Sequence, residues 1–174
     1  RMNLRLAALD FITDCLGIRS ETAMQNTLRA AVTAGRLDWC TVIAIANNHL
    51  IVPALWVALR KRGLIEILPS DVREYLHELY RLNTVRNKHL RTQVIEAVQQ
   101  LNSIGVEPVL LKGGASLFVK TFDDPGSRVM VDLDILAPKA SAEECWNKLR
   151  ALGYSPVTKD FDFSDNHHLK PLYR

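Results

Sequence analysis

The spacing of the apolar residues changes at Gly105, and this change constrains the possible folds more than any other feature of the chain. Before Gly105, apolar residues recur three or four positions apart, as they do in amphipathic helices. After Gly105, they stand in short runs separated by segments that contain glycine and proline, which favours strands and turns. We therefore predict an α+β fold, with a helical region over residues 1–104 and an α/β domain with a small mixed sheet over residues 105–174.

Capping residues and glycine stops predict five helices in the first region. They begin near Leu4, at Ser20, after Asp38, at Pro53 and at Ser70, and they end near Gly17, Gly35, Ala46, Gly63 and Gly105. The fifth helix is the longest, and its predicted apolar stripe consists of Val72, Tyr75, Leu76, Leu79, Leu82, Leu90, Val94, Val98 and Leu101. The basic run Arg60-Lys61-Arg62 at the end of the fourth helix is attributed to the helix dipole.

Strands and short helices alternate after Gly105. Residues 106–111 predict a buried strand, and residues 112–114 predict a turn into a short helix over residues 115–120. A loop over residues 123–127, a β-rich run over residues 129–137, a helix over residues 141–152 and a strand from Tyr154 follow. This order of elements is typical of an α/β or α+β domain.

The charge of the chain gives no clear signature of nucleic-acid binding. The net charge of +3 is too small to indicate such a partner. The basic residues Arg81, Arg86, Lys88 and Arg91 are interpreted as the solvated face of the long helix. The second half of the chain is locally acidic, which fits a metal site there.

The cysteines and the most apolar segment exclude further classes of protein. The three cysteines lie far apart and form no CxxC pair, so the sequence predicts neither a zinc site nor a disulfide framework. The most apolar segment, residues 42–59, contains Asn47-Asn48-His49 and Pro53, which disfavour a membrane span. No signal peptide is predicted. We therefore expect a cytoplasmic protein without membrane association.

Two aspartates, Asp132 and Asp134, stand inside an apolar run that predicts a strand. Residues two positions apart in a strand point to the same face, so both carboxylates would project together while Leu133 and Ile135 face the core. Like charges placed side by side repel each other, and a divalent cation such as Mg²⁺ (or Mn²⁺) removes this repulsion. The pair therefore predicts a metal site; the alternative is a solvated pair on an exposed strand edge.

A glycine-rich segment, Lys112-Gly113-Gly114, lies upstream of the aspartates, between a predicted strand and a predicted helix. Glycines at such a position allow the backbone to approach a phosphate closely, and the start of the helix offers free N–H donors. Ser116 could add a hydroxyl, and Lys112 either reaches a phosphate or extends its charge into solvent. The alternative is an ordinary strand-to-helix turn. The segment is not a Walker A loop, because no Gly-Lys-Ser or Gly-Lys-Thr follows.

These motifs, taken in order, resemble the uncharacterised nucleotidyltransferase family of the DNA polymerase β-like superfamily. The residues that carry the resemblance are Leu110-Leu111-Lys112-Gly113-Gly114-Ala115, Arg128, Asp132-Leu133-Asp134-Ile135-Leu136 and the helix end Leu149-Arg150-Ala151-Leu152-Gly153-Tyr154. The resemblance implies that Gly113 and Gly114 bind a triphosphate and that Asp132 and Asp134 hold metal ions. It also suggests that Arg128 belongs to the site, as a triphosphate contact or as a partner of the aspartates; the alternative is a solvated loop arginine.

The superfamily also uses a third carboxylate on a later strand. Asp160 and Asp162 alternate in a strand-like run and are candidates. We expect the third carboxylate beyond residue 174, with the catalytic core truncated at its C-terminus. His167 and His168 are not expected to bind one metal ion, because adjacent residues of a strand point to opposite faces.

The resemblance implies a metal-dependent nucleotidyltransferase, which moves an NMP from an NTP to an acceptor hydroxyl. Asp132 and Asp134 would then be catalytic metal ligands, and Lys112, Gly113, Gly114, Ser116 and Arg128 would bind the NTP. The acceptor is not identified: RNA, protein, sugars and small molecules all remain open. The alternative is a non-catalytic NTP-binding or protein-interaction module with an incomplete site.

Overall fold

The computed structural model describes residues 4–17, 22–119, 124–156 and 172–173. The chain divides into two compact units. The first unit consists of Arg1–His89 with Val119–Val131, and the second consists of Leu90–Phe118 with Asp132–Arg174. Helices dominate the described residues, which confirms the predicted α+β class. Where a small mixed sheet is predicted, the described strands form two short antiparallel pairs.

Five helices supply the first unit, and the last of them continues into the second. They are α1 (Leu4–Leu16), α2 (Thr22–Thr33), α3 (Trp39–Asn48), α4 (Val52–Lys61) and α5 (Ser70–Asn102). All five were predicted to within a few residues, because capping and stop residues mark their ends. Gly35, Gly63 and Gly105 follow α2, α4 and α5 with positive φ angles, as glycine stops do. The predicted N-cap Ser20 lies outside the described residues.

The core of the first unit is aliphatic, with an aromatic pair at one side. The large side chains that are fully buried in it include Leu28, Val42, Leu55, Leu59, Leu64 and Leu76. The rings of Phe11 and Trp39 meet edge to face, with their centroids 5.6 Å apart. α1 buries Ala8, Phe11, Ile12 and Cys15, while its four leucines are exposed. α1 packs against α3 and α4.

Two arginines at the end of α4 have specific partners, so the attribution of this basic run to the helix dipole is incomplete. Arg62 donates from Nε to the carbonyl oxygen of Cys15 at 2.9 Å and from Nη2 to that of Gly17 at 2.8 Å. These carbonyls lie at the end of α1, where a helix leaves its last C=O groups without intrahelical donors. Arg60 binds the carboxylate of Asp124 at 2.6 Å. Both arginines thus fix other segments to α4.

α5 has a buried stripe that is only partly apolar. Val72, Leu76, Val94 and Leu101 are buried as predicted, whereas Tyr75 and Leu82 are exposed. Asn83 and Asn87 occupy the buried stripe instead. Among the described helices, none is both long and apolar enough to cross a membrane.

The second unit combines the end of α5 with short strands and two further helices. The elements are β1 (Val109–Leu111), α6 (Lys112–Ser116), β2 (Asp134–Leu136), α7 (Ala142–Ala151), β3 (Ser155–Pro156) and β4 (Leu172–Tyr173). Leu101, Val106 and Cys145 form its core, and Ile104, Ile135, Ala137 and Leu149 pack against them. β1 and β2 are shorter than predicted, because only three residues of each strand are paired.

Candidate functional site

The candidate site forms where β1 passes into α6 beside the first residue of β2. The two strands are antiparallel, with Leu111 opposite Asp134 and Leu110 opposite Ile135. Ile135 packs against the core of the second unit, as predicted. The pairing therefore brings the acidic start of β2 next to the segment that follows Leu111, which is Lys112-Gly113-Gly114.

Lys112 makes the central contact of the site. Its Nζ lies 2.6 Å from Oδ2 of Asp134, and the side chains of Lys112 and Asp134 are 72% and 32% exposed. The hydrogen bond to Asp134 raises the pKa of the Lys112 ammonium, and the charges of Asp134 and Asp132 raise it further. Lys112 thus stays charged and partly neutralises two carboxylates.

The backbone of Lys112 has an uncommon conformation. Its φ angle is +47°, in a region that residues other than glycine rarely adopt. The two glycines that follow are not among the residues with positive φ. The left-handed residue is therefore the lysine, and the glycines lie within α6. Residues 112–114 were predicted to form a turn before the helix, and this prediction is wrong, because α6 begins at Lys112.

The absence of a side chain at Gly114 does not create space for a ligand at the surface. Gly114 is buried, and an added Cβ would lie 3.7 Å from the carbonyl oxygen of Asp134 and 3.8 Å from Cδ2 of Leu133. These are ordinary van der Waals distances within the protein, so an alanine fits here without displacing its neighbours. The first turn of a helix leaves its backbone N–H groups without intrahelical acceptors, so a phosphate contact at Gly114 would have to be made by its backbone N–H.

Ser116 is committed to its own helix. Its Oγ donates to the carbonyl oxygen of Gly113 at 2.7 Å. Phosphate oxygens accept hydrogen bonds, so a phosphate contact from this hydroxyl would have to replace that bond. α6 has five residues, so its dipole is weak.

Asp132 lies outside the paired strand. β2 begins at Asp134, so the prediction that both aspartates belong to one strand is wrong. Asp132 is exposed and stands in the irregular segment that leads into β2. Its charge acts on the same ammonium as that of Asp134, which places both carboxylates within electrostatic reach of Lys112. Their predicted common direction remains a prediction.

Arg128 belongs to the first unit, where its backbone is tightly held. Its carbonyl oxygen accepts two hydrogen bonds of 2.9 Å each, from Nδ2 of Asn83 and from Nδ2 of Asn87. The same two nitrogens bind the carbonyl oxygens of Gly126 at 2.8 Å and of Pro125 at 2.6 Å. The side chain of Arg128 is exposed. Its suggested role at the triphosphate remains a prediction.

The network that holds this loop was missed by the sequence analysis. Asp124 is 9% exposed and accepts hydrogen bonds from Arg60 at 2.6 Å, from Tyr80 at 3.1 Å and from the backbone N–H of Gly126 at 2.9 Å. The sequence carried one signal for it. Leu76, Tyr80, Asn83, Asn87, Leu90 and Val94 continue a single stripe at spacings of three and four residues, so the two asparagines stand at core positions.

The residues present fit a divalent cation in part. Carboxylate oxygens are the ligands that Mg²⁺ prefers, and Oδ2 of Asp134 already holds a cationic group. Among the described residues, however, no group of three or more His, Cys, Asp or Glu side chains could hold a metal ion. Asp160, Asp162, His167 and His168 lie outside the described residues.

Comparison with known proteins gives one match. A family model described as an uncharacterised nucleotidyltransferase matches residues 35–174. The matched range includes α6, both aspartates and the loop that ends at Arg128. No curated protein and no solved structure matched the chain.

Proposed function

This chain belongs to the uncharacterised nucleotidyltransferase family, and we propose that it is a metal-dependent enzyme that transfers an NMP from an NTP to an acceptor hydroxyl. In this reaction the acceptor oxygen bonds to the α-phosphorus, the bond from that phosphorus to the bridging oxygen breaks, and pyrophosphate leaves. The acceptor hydroxyl loses its proton. The family supports nucleotidyl transfer in general; the metal, the NTP and the acceptor are parts of the proposal.

The ion pair between Lys112 and Asp134 is the observation that carries this proposal. It joins the glycine segment to the aspartate pair in a single cluster, with Nζ and Oδ2 only 2.6 Å apart. A cation beside two carboxylates, at the first turn of a helix, offers partners for both a metal and a triphosphate. Strained backbone at a non-glycine residue is also concentrated at functional sites, and Lys112 has such a backbone.

Each group has a proposed role. Asp132 and Asp134 would hold Mg²⁺, which when bound would activate the acceptor oxygen and neutralise charge on the leaving group. The backbone amides of Gly113 and Gly114 would orient the phosphates, and the Lys112 ammonium would add a charged contact. Ser116 is a further proposed NTP contact. Alignment and charge stabilisation would then account for most of the rate enhancement, as in other phosphoryl transfers.

A second candidate is a non-catalytic NTP-binding or protein-interaction module. The observation that favours it is the small number of carboxylates available to bind metal. The described residues provide two carboxylates at the site and no group of three or more possible ligands. Two aspartates carry a charge of about −2 against about +4 for two divalent ions, so a second metal ion would be weakly held.

Labelled nucleotides distinguish the two candidates. The protein is incubated with Mg²⁺ and a cell extract, using each NTP labelled once at the α-phosphate and once at the γ-phosphate. Nucleotidyl transfer moves the α-label to an acceptor and leaves the γ-label in pyrophosphate. If the γ-label moves instead, the enzyme is a phosphotransferase. If neither label moves although the protein binds the NTP, transfer is contradicted and the binding module is favoured.

A further inference from the structure

We propose that Lys112 is the resting counter-ion of Asp134, that it leaves this carboxylate when a divalent cation binds, and that the released ammonium then binds the triphosphate. This inference rests on the proposed function, because it assigns a coupling between metal and nucleotide to the same site. It predicts that Lys112 weakens the binding of the metal alone and strengthens the binding of the metal together with the nucleotide.

The position of Lys112 supports a switch between two partners. It is the first residue after β1 and the first of α6, so it contacts Asp134 through its side chain and is followed directly by the two glycines. Its side chain is 72% exposed, and a lysine stem has several rotatable bonds. Lys112 can therefore turn from Oδ2 of Asp134 towards a phosphate without moving the backbone.

Lys112 and a metal ion would compete for the carboxylate of Asp134. The ammonium lies 2.6 Å from Oδ2, and Mg²⁺ would approach an oxygen of the same carboxylate to about 2.0–2.1 Å. Two cations on one carboxylate repel each other whichever oxygen the metal uses, so each weakens the binding of the other. A triphosphate favours the metal in this competition, because its negative oxygens attract the ammonium of Lys112 away from Asp134. The metal and the nucleotide should then bind more tightly together than either does alone.

The test measures two affinities that should change in opposite directions. Binding of Mn²⁺ alone is followed by electron paramagnetic resonance of the free ion, and binding of inorganic triphosphate with Mg²⁺ is followed by calorimetry. We expect Lys112→Met to bind Mn²⁺ about two- to fivefold more tightly than the wild type, the range expected for removal of an exposed competing charge. We expect the same variant to bind magnesium triphosphate about tenfold more weakly, since a charge-assisted contact is lost.

Three further variants serve as controls. Lys112→Arg keeps the charge and should behave like the wild type towards Mn²⁺. Lys139→Met removes an exposed lysine of the same unit and should change neither affinity by more than about 1.5-fold. Lys112→Asn repeats the loss of charge with a residue that tolerates positive φ, so the test does not depend on whether Lys112→Met folds.

The outcomes separate this inference from the proposed function. Equal Mn²⁺ affinity in wild type and both neutral Lys112 variants would overturn the exchange, even in a protein that binds NTP. If Lys139→Met gained as much Mn²⁺ affinity as Lys112→Met, the exchange would also be overturned. The gain would then follow from the loss of any positive charge in the second unit and not from the loss of Lys112 itself. Failure of the wild type to bind any NTP would contradict the proposed function, while the Mn²⁺ titrations would still decide whether Lys112 competes for Asp134.

Discussion

At the scale of single residues, Lys112 shows what a sequence pattern cannot predict. Positive φ is expected at glycine, and two glycines follow Lys112 directly, yet the lysine is the residue that adopts it. The pattern predicted a site at this segment and at Asp134, and the structure places Lys112 and Asp134 in contact. It could not give the ion pair, because the strand register that places Leu111 opposite Asp134 is a tertiary property.

The aspartate pair should contribute little to stability. Replacement of both residues, Asp132→Asn with Asp134→Asn, removes the repulsion between them but also removes the Lys112 ion pair, which is exposed and therefore screened by solvent. We expect the Tm of the double variant in metal-free buffer to lie within about 2 °C of the wild type. A decrease of more than about 8 °C by differential scanning calorimetry would show that the pair is structural.

The three cysteines should differ in reactivity towards alkylating reagents. Burial raises the pKa of Cys15 to about 12, and burial followed by the charge of Glu144 raises that of Cys145. The thiolate is the reactive form, so both thiols stay protonated at pH 8. Cys40 is exposed. Brief treatment of the native protein with iodoacetamide should modify Cys40 first, and peptide mass spectrometry can follow it. Modification of Cys15 at the same rate would show that α1 opens readily.

At the scale of elements, helix ends could be predicted because local residues determine them, and sheet limits could not. Pro53 stands at the start of α4 and Ser70 at the start of α5, and Asp38 is the N-cap residue of α3 by position, although its carboxylate accepts from Thr41 instead of from the backbone. β1 and β2 end where pairing ends, and pairing depends on residues more than twenty positions away along the chain. The loop before Asp132 was predicted as a loop, but its attachment to α5 through Asn83 and Asn87 was not, because asparagines at core positions are unusual.

Alanine substitutions at two glycines, Gly126 and Gly114, test how closely the 124–128 loop and α6 are packed. A Cβ at Gly126 would lie 2.1 Å from Oγ1 of Thr84 and 2.6 Å from Cε2 of Tyr80. The loop therefore packs too closely against α5 at Gly126 to accommodate a side chain. We expect Gly126→Ala to lower the free energy of unfolding by about 1–3 kcal/mol. Gly114→Ala has room and lies in a helix, so it should raise that energy by about 0.5–1 kcal/mol.

Urea denaturation of the two variants and the wild type, under identical conditions, checks this pair. The same substitution in both positions changes the unfolded chain in the same way, so the difference reports on the folded protein. Equal effects of the two substitutions would contradict the packing of the 124–128 loop against α5.

At the scale of the whole molecule, the change of pattern at Gly105 predicted the fold class but not how the chain is shared between compact units. The chain was predicted to divide at residue 104, whereas α5 supplies residues to both units and the segment Val119–Val131 returns to the first. The spacing of apolar residues predicts which elements form. The apolar pattern of α5 is continuous, so it does not show where the helix passes from the first unit to the second. The family match over residues 35–174 covers parts of both units.

Calorimetric titration with ATP, GTP, CTP and UTP tests the central claim most directly, since the claim is that the Lys112–Asp134 cluster binds a metal–nucleotide complex. We predict that at least one NTP binds in the presence of Mg²⁺ and that binding is lost in Asp132→Asn with Asp134→Asn. The matched control, Glu143→Gln with Glu144→Gln, neutralises two exposed carboxylates of α7 in the same unit and should bind like the wild type. If the folded protein binds no NTP with Mg²⁺, or if both double variants bind equally well, the account is contradicted.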